Sequence, residues 1–235
     1  MISAIITGTT SGIGKCITEK LLTMNYSVHG ISRTSNIFES NKNYFHYQID
    51  LTESKKVKEL IEGILKKDPD IKILVNNAGV GLYGLHEELN YSQLEYMMLT
   101  NLVAPVLITK LLLRRLKENK GYIINISSVT AKKNSPIASA YSATKAGLTH
   151  FGESLFDEVR KSGVKIINIH PDMTKTNLYR DANFMEDEDS QSYLLPETIA
   201  NIIEFALNQK EGLSFTDITA QPQKHKIRKK NTTTT

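Results

Sequence analysis

A chain of 235 residues is long enough for one large α/β domain with a substantial core. Hydrophobic residues make up 40% and charged residues 23%, which is typical of globular proteins and excludes a fibrous or largely disordered chain. No uninterrupted apolar run approaches the roughly 20 residues that cross a bilayer, and the single cysteine, Cys16, excludes an internal disulfide. We therefore expect a cytoplasmic protein that does not span a membrane.

The positive charge of the chain is concentrated near its C-terminus. Without the five cations Lys224, Lys226, Arg228, Lys229 and Lys230, the formal net charge of +4 becomes −1. The rest of the chain is nearly neutral, and nothing in it indicates a nucleic-acid-binding surface. Because four threonines follow the basic stretch, we predict a disordered, solvated tail over residues 224–235 rather than a binding arm.

Strand-like and helix-like segments alternate along residues 1–223. This order predicts parallel strands joined by right-handed helical crossovers, in a single domain with a three-layer, doubly wound sheet, the Rossmann fold. The predicted strands are 2–7, 27–32, 44–49, 71–76, 122–127, 164–170 and 213–218, and the predicted helices are 15–24, 54–67, 94–116, 138–161 and 196–208.

One internal segment, residues 174–195, is polar and has no clear period, and it contains the acidic run 186–189. A stretch of this kind inside a compact domain is usually a functional lid or is disordered. We predict a substrate pocket built from this segment together with residues 81–84 and 130–136.

A glycine-rich turn, Thr7-Gly8-Thr9-Thr10-Ser11-Gly12-Ile13-Gly14, joins the first predicted strand to the first helix. Glycines allow a tight turn and a close approach of the backbone to a pyrophosphate, and the positive end of the helix attracts the anion. The spacing differs from the common GxGxxG pattern, and a glycine turn without a ligand is the alternative. Its position at the first strand–helix junction favours dinucleotide binding.

The second predicted strand ends at Ile31-Ser32-Arg33-Thr34. Dinucleotide folds that bind NAD usually have an acidic residue at the end of the second strand, whereas a nearby arginine suits the 2′-phosphate of NADP. The acid is missing and Arg33 is present, with a guanidinium that can grip phosphate through two hydrogen bonds. The sequence therefore favours NADP(H) over NAD(H), with an ordinary surface arginine as the alternative.

Tyr141 and Lys145 lie four residues apart at the start of a predicted helix and share one of its faces. A phenol with a pKa near 10 is a weak proton donor and acceptor at neutral pH. A neighbouring ammonium group stabilises the phenolate, so we expect Lys145 to lower the pKa of Tyr141 toward the working range. A Tyr-x-x-x-Lys pair alone is more often a surface pair.

Four further motifs accompany the pair in a fixed order: the glycine turn, Asn76-Asn77-Ala78-Gly79, Asn101 in the long helix, and Ser127-Ser128. Together these residues resemble the short-chain dehydrogenase/reductase family, in its compact single-domain branch. The resemblance covers the chain from Ile5 to about Gln223. It implies a Rossmann-type catalytic domain over residues 1–223 and a nicotinamide cofactor.

The resemblance implies a role for each matching residue. Tyr141 is the expected general acid or base toward the substrate oxygen, and Lys145 is expected to lower its pKa and bind the nicotinamide ribose. Ser128 lies 13 residues before Tyr141, the family spacing, and is expected to hydrogen-bond the substrate oxygen, whereas Ser127 is structural. Asn101 resembles the residue that holds a water relay to the lysine, with a packing asparagine as the alternative.

The cofactor contacts implied by the resemblance extend along the chain. Asp50 and Leu51 resemble the pair that meets the adenine ring, although Asp50 also fits a helix N-cap. Asp172 stands where the family usually has glycine, which puts the nicotinamide contact in doubt. The expected cofactor-binding residues are Gly8, Thr10, Ser11, Gly12, Ile13, Gly14, Ser32, Arg33, Thr34, Asp50, Leu51, Asn77, Ala78, Gly79, Tyr141, Lys145, Pro171, Thr174 and Thr176.

The sequence thus predicts an NADP(H)-dependent oxidoreductase that moves hydride between the nicotinamide and a small carbonyl or secondary alcohol, such as a 3-oxoacyl group. A non-catalytic NADP(H)-binding sensor or scaffold is the alternative, and a dehydratase or epimerase is a lesser rival because those relatives are longer. The resemblance implies a homodimer or homotetramer. The scattered histidines show no metal-ligand spacing, so no metal site is predicted.

Overall fold

The computed structural model describes residues 1–35 and 37–230. Seven parallel strands form one sheet in the order β3-β2-β1-β4-β5-β6-β8, with the topological switch between β1 and β4. The strands of this sheet are β1 Ser3–Thr7, β2 Ser27–Ser32, β3 Tyr44–Gln48, β4 Ile71–Asn76, β5 Tyr122–Ile126, β6 Lys165–Pro171 and β8 Asp217–Ala220. The predicted doubly wound parallel sheet is confirmed.

Helices cover both faces of the sheet, which explains why its central strands are continuously apolar. Helices α1 (Gly12–Thr23) and α6 (Pro196–Leu207) pack on one face. Helices α2 (Ser54–Lys67), α4 (Ala104–Glu118) and α5 (Ser139–Val159) pack on the other face. Each face of the sheet therefore contributes to its own hydrophobic core, and all five residues of β1 are buried between the two.

The predicted helix 94–116 is interrupted in the structure. Helix α3 (Tyr91–Met98) passes into a π-helical turn, Leu99–Val103, before α4 begins. Pro105 lies in the first turn of α4, and a proline ring clashes with the carbonyl of the residue four positions earlier, here Asn101. The wider turn at Asn101 is consistent with this clash and places that side chain at the site described below.

The combined helical segment Tyr91–Glu118 spans 28 residues and contains an 18-residue window of mean hydropathy 1.6. By length and composition it is the one helix in the described part of the chain that could cross a membrane. In the fold, Ile108, Leu112 and Leu116 are fully buried against the sheet. Its apolar composition therefore also serves the core of the domain.

The last strand of the sheet begins later than the sequence indicates. Residues 213–218 were expected to be extended, but β8 covers Asp217–Ala220 and pairs with Asn168–Pro171 of β6. The N–H of Leu213 instead closes a turn onto Lys210, so the apolar residues Leu213 and Phe215 precede the strand. Phe215 packs against Phe205 of α6, which explains its apolar character without a strand.

The basic C-terminal stretch differs from the expected disordered tail. Ile227–Lys229 forms a short strand, β9, which pairs antiparallel with β7 (Phe184–Glu186) of the polar segment 174–195. Lys224 binds Asp189 at 2.9 Å, and Arg228 binds Glu188. The acidic run 186–189 thus supplies the partner charges that order residues 224–230, while residues 231–235 lie outside the described part of the chain.

A ladder of buried asparagines crosses the centre of the sheet. Asn76, Asn125 and Asn168 are in register on β4, β5 and β6, and each Nδ2 donates to the next Oδ1 at 2.9 Å. Helix α5 passes over this ladder at Gly152, where an added Cβ would lie 2.4 Å from Asn168 Oδ1 and 2.7 Å from Asn125 Nδ2. Only glycine therefore permits this distance between helix and sheet.

We expect Gly152→Ala to lower the free energy of unfolding by about 2 kcal/mol, because the new methyl group displaces the ladder or the helix. Gly63→Ala in α2 is the matched control, since its Cβ would have no neighbour within 4 Å. The control should stabilise the chain by about 0.5–1 kcal/mol through helix propensity. Urea denaturation of both variants measures the difference, and equal effects would contradict this account of Gly152.

Candidate active site

A cleft of about 510 Å³ lies at the carboxyl ends of the parallel strands. In open α/β sheets, ligands bind at this edge, where the strand order reverses. Most of the residues expected from the sequence line the cleft. They are Gly8, Thr10, Ser11, Gly12, Ile13, Gly14, Ser32, Arg33, Thr34, Leu51, Asn77, Ala78, Gly79, Ser128, Tyr141, Lys145, Pro171, Thr174 and Thr176.

The glycine turn is shaped by positive φ angles and close packing. Gly8 has φ +75° and Gly12 has φ +52°, a region that side chains disfavour. An added Cβ at Gly14 would lie 2.0 Å from the carbonyl oxygen of Gly8, so only glycine lets α1 start this close to β1. Ser11 occupies the N-cap of α1 in an extended conformation without a side-chain cap bond, which leaves its hydroxyl free of that role.

Asn77 secures the turn from the neighbouring strand. Its Nδ2 donates to the carbonyl oxygens of Thr7 at 2.9 Å and Gly8 at 3.0 Å. The hydroxyl of Thr7 in turn accepts from the backbone N–H groups of Asn77 and Ala78. The side-chain amide of Asn77 therefore joins the ends of β1 and β4, and the floor of the cleft is a fixed structure.

Arg33 and Thr34 extend from the end of β2 along the rim of the cleft. Thr34 Oγ1 donates to Thr10 Oγ1 at 2.7 Å, which links the end of β2 to the glycine turn. Arg33 Nη1 donates to the hydroxyl of Tyr96 at 2.8 Å, and its guanidinium lies 5.5 Å from the ring centre of Tyr96. The hydroxyl of Ser32 is engaged by Thr34 O and His46 Nε2.

The predicted adenine-end residues separate in the structure. Leu51 lines the cleft, but Asp50 does not. Asp50 Oδ1 accepts from the N–H and hydroxyl of Thr52, and Oδ2 accepts from Tyr96 at 3.0 Å. Burial alone raises the pKa of Asp50, but the hydrogen bonds from Thr52 and Tyr96 and the charge of Arg33 hold that pKa below its usual value.

Tyr141, Ser128 and Lys145 converge at the other end of the cleft. Tyr141 and Lys145 are only 4% exposed, and Ser128 is 7% exposed. Burial raises the pKa of Tyr141 to about 12, and a hydrogen bond from the Ser128 hydroxyl lowers it in part. Ser128 Oγ also accepts from the N–H and hydroxyl of Thr130, which fixes its orientation. The phenol is therefore protonated at neutral pH.

Lys145 lies with its Nζ 5.8 Å from the centre of the Tyr141 ring and donates to the carbonyl oxygen of Ile126 at 2.8 Å. Burial lowers the pKa of Lys145 to about 8. In the chain alone, the expected lowering of the Tyr141 pKa by Lys145 does not outweigh burial, and this effect of Lys145 stays a prediction. Desolvation of the phenol dominates, and the ammonium is directed to the end of β5.

The two other polar residues of this end have structural partners. Ser127 Oγ contacts the Lys145 carbonyl oxygen at 3.1 Å and Thr149 Oγ1 at 2.7 Å, in keeping with the structural role expected for it. Asn101 does not line the cleft. Its side chain bonds to both the N–H and the C=O of Val80 at 2.9 Å and to Thr144, and so positions the loop after β4. This matches the packing alternative for Asn101.

Asp172 also lines the cleft, in place of the usual family glycine. Its backbone is not in the left-handed region, and its carboxylate accepts from Gln221 at 2.9 Å, from the Met173 N–H and from Lys133. Burial alone raises the pKa of Asp172, but these hydrogen bonds and the Lys133 charge hold that pKa below its usual value. The substitution is thus accommodated by ionic and polar partners just after β8 and in the loop after β5.

The segment 174–195, called the lid below, covers the Tyr141 end of the cleft with residues 177–181. Tyr179 and Phe184 of the lid pack with Tyr83, and the ring of Tyr83 lies 5.6 Å from that of Tyr141. Gly81 lines the cleft as expected, but residues 82–84 and 130–136 do not. The acidic run does not line it either, because it pairs with residues 224–228.

Tyr96 and Thr100 also line the cleft and were not predicted. They lie one turn apart where α3 passes into the π turn, so the only sequence signal is their shared helix face just before Asn101.

Comparison with known proteins assigns the chain to a family. Residues 3–187 match the family model described as short chain dehydrogenase. The chain belongs to the short-chain dehydrogenase family. It is 32% identical to the 3-oxoacyl-[acyl-carrier-protein] reductase FabG of Buchnera aphidicola over 218 residues, covering 90% of this chain and 86% of that protein.

Other members of the family extend the comparison. The chain is 29% identical to serine 3-dehydrogenase of Rhizobium radiobacter over 230 residues, covering 93% of this chain and 92% of the relative. The solved structure of ElxO with NADP bound superposes with a TM-score of 0.83 at 28% identity, covering 93% of this chain and 96% of that one. The matched family model confirms the resemblance drawn from the sequence, and with it an oxidoreductase on a Rossmann-type fold.

The lowered pKa of Lys145 predicts how the free energy of unfolding depends on pH. The ordinary pKa of lysine is 10.5. Between pH 8 and pH 10.5, Lys145 therefore keeps its proton in the unfolded chain but has lost it in the folded chain. The free energy of unfolding therefore rises with pH in this window. We expect the difference between wild type and Lys145→Met to rise by about 2 kcal/mol from pH 7 to pH 10. Urea denaturation of the two proteins at both pH values measures this, and a constant difference would contradict it.

The pairing of β7 with β9 predicts that residues 224–230 restrain the lid. A chain that stops after Gln223 loses the strand partner of residues 184–186 and the cations bound to Glu188 and Asp189. We expect faster amide hydrogen exchange over 179–190, with the central sheet unchanged. A chain that stops after Lys230 keeps β9 and is the control. Equal exchange in the two shortened chains would contradict the restraint.

Proposed function

We propose that the protein is an NADP(H)-dependent oxidoreductase that interconverts a small carbonyl compound and the corresponding secondary alcohol. The observation that carries this proposal is the buried constellation of Tyr141, Ser128 and Lys145 at one end of the cleft, beneath the lid. Family membership supports the reaction class, and the glycine turn at the middle of the cleft supports a dinucleotide.

The residues present fit such a cofactor. An added Cβ at Gly12 would lie 3.1 Å from Thr176, and one at Gly79 would lie 3.4 Å from Lys145 Nζ, so glycine at both cleft-lining positions leaves room beside these side chains. The N-terminus of α1 supports a pyrophosphate position, and Lys145 supports a nicotinamide ribose position. When bound, the cofactor supplies or accepts the hydride.

The side chains divide the acid–base work between them. Because burial keeps the pKa of Tyr141 near 12, the phenol retains its proton at neutral pH and can donate it to a carbonyl oxygen. Ser128 is held by Thr130 and donates to the same oxygen. The charge of Lys145, with a pKa of about 8, stabilises the phenolate that remains. Asn101 supports the site by fixing Val80.

Arg33 supports the preference for NADP(H). Its guanidinium lies on the rim of the cleft at the end of β2, and no acidic residue occupies positions 31–34 of the sequence. An acid there would accept hydrogen bonds from the ribose hydroxyls of NAD, whereas a guanidinium binds a 2′-phosphate. The structure of ElxO with NADP bound adds support from a relative at 28% identity.

A small ketone or a 3-oxoacyl group is the substrate class that we propose for the aromatic end of the cleft beside Tyr179. The similarity to a 3-oxoacyl-[acyl-carrier-protein] reductase supports the latter. A non-catalytic NADP(H)-binding protein is the remaining candidate, because a fold alone does not establish catalysis.

We also propose a homo-oligomer in the cytoplasm. Met98, Val103 and Leu107 are more than a third exposed along α3, the π turn and α4, where they would be covered in an assembly. The single thiol, Cys16, is free and fits a reducing compartment.

Purified protein should oxidise NADPH with at least one member of a panel of small ketones, aldehydes and 3-oxoacyl thioesters. Tyr141→Phe should lower the turnover number by about 10³-fold while leaving NADPH affinity within about twofold, because only the proton donor is removed. Absorbance at the NADPH band and equilibrium binding provide the two measurements. An unchanged rate would remove Tyr141 from the mechanism, and tight NADPH binding without any turnover would favour the non-catalytic candidate.

A further inference from the structure

Tyr96 connects the rim of the cleft to an anchored carboxylate. It lies on α3, 63 residues from Arg33 in sequence, and both side chains line the cofactor end of the cleft. Two separate contacts join them, the 2.8 Å hydrogen bond from Arg33 Nη1 to the phenol oxygen and the guanidinium over the ring at 5.5 Å. The ring and the hydroxyl of Tyr96 thus both restrict the position of Arg33.

The hydrogen bonds run in one direction. Arginine only donates, so the phenol oxygen accepts from Arg33, and the phenol proton is then free to be donated to Asp50 Oδ2 at 3.0 Å. Asp50 is itself fixed through Oδ1 by the N–H and hydroxyl of Thr52 at 2.9 and 2.8 Å. The backbone of Arg33 is held by Gln48 Nε2 at 3.0 Å. Arg33 is therefore restrained at its backbone by Gln48 and at its guanidinium by Tyr96.

The arrangement holds Arg33 without neutralising it. Among residues 1–35 and 37–230, no carboxylate lies within ion-pair distance of its guanidinium, because the phenol of Tyr96 stands between Arg33 and Asp50. One of five guanidinium N–H groups is engaged by Tyr96, which leaves a donor pair for a phosphate. A long, exposed arginine otherwise loses much rotamer freedom when it binds an anion.

We propose that Tyr96 is a positioning residue for the 2′-phosphate of NADP(H), which holds the Arg33 guanidinium in place through hydrogen bonding and stacking. The proposal rests on the proposed preference for NADP(H). Asp50 supplies the acceptor that orients the phenol.

The test is equilibrium binding of NADPH and NADH by titration calorimetry, which does not depend on turnover. We expect Tyr96→Phe to weaken NADPH binding by about tenfold and to leave NADH binding within about twofold, because NADH has no 2′-phosphate. Tyr91→Phe, an exposed tyrosine at the start of the same helix, is the control and should change neither affinity. A structural role for Tyr96 would instead weaken both cofactors alike.

A double-mutant cycle tests whether Tyr96 acts through Arg33. In the Arg33→Ala background, Tyr96→Phe should have no further effect on NADPH affinity. Three results would overturn the role of Tyr96 but leave the cofactor preference intact. They are additive losses in the double mutant, an equal loss for both cofactors in Tyr96→Phe, and an unchanged or higher NADPH affinity in Tyr96→Phe. Equal wild-type affinities for NADPH and NADH would overturn the cofactor preference and this role together.

Discussion

The approach of helix α5 to the sheet is the constraint on which the site depends. The helix lies over buried asparagines at Gly152, where any side chain would collide with Asn125 and Asn168. Lys145 and Tyr141 lie about two and three turns further toward the start of the same helix. The depth at which both side chains enter the cleft is therefore set by a contact that takes no part in the chemistry.

The burial of Tyr141 and Lys145 in turn determines their charge states. Because the phenol and the ammonium are both removed from water, the neutral form of each is favoured. The pKa of Tyr141 is therefore raised and the pKa of Lys145 is lowered from their values in solution. Tyr141 is thus an acid that keeps its proton, and Lys145 is a base that holds its proton only moderately. This combination suits a site that must donate a proton and then recover it. Desolvation accounts for this division more than attraction between the two groups.

The sequence predicted what is encoded locally. Apolar periodicity located most strands and helices of the main sheet. The glycine turn and Arg33 follow from short spacings next to a strand end, and the Tyr141–Lys145 pair follows from the spacing of one helical turn. Features that join distant segments were missed. Nothing near Tyr96 indicates that it meets Arg33, and charge counting could not show that residues 224–228 match the acidic run. Pro105 was a local signal for the break in the long helix, but its effect falls on Asn101, four residues earlier.

The β7–β9 ribbon has a consequence for how the protein matures. Residues 227–229 emerge from the ribosome after every strand of the central sheet, yet they are the partner that the lid segment requires. The glycine turn, Arg33 and Tyr96 all lie in the first half of the chain, so this part of the cleft can assemble early in synthesis, whereas the lid gains its strand partner only with residues 227–229. A nascent chain therefore acquires the glycine turn and the Arg33 rim before the lid over the Tyr141 end is held in place.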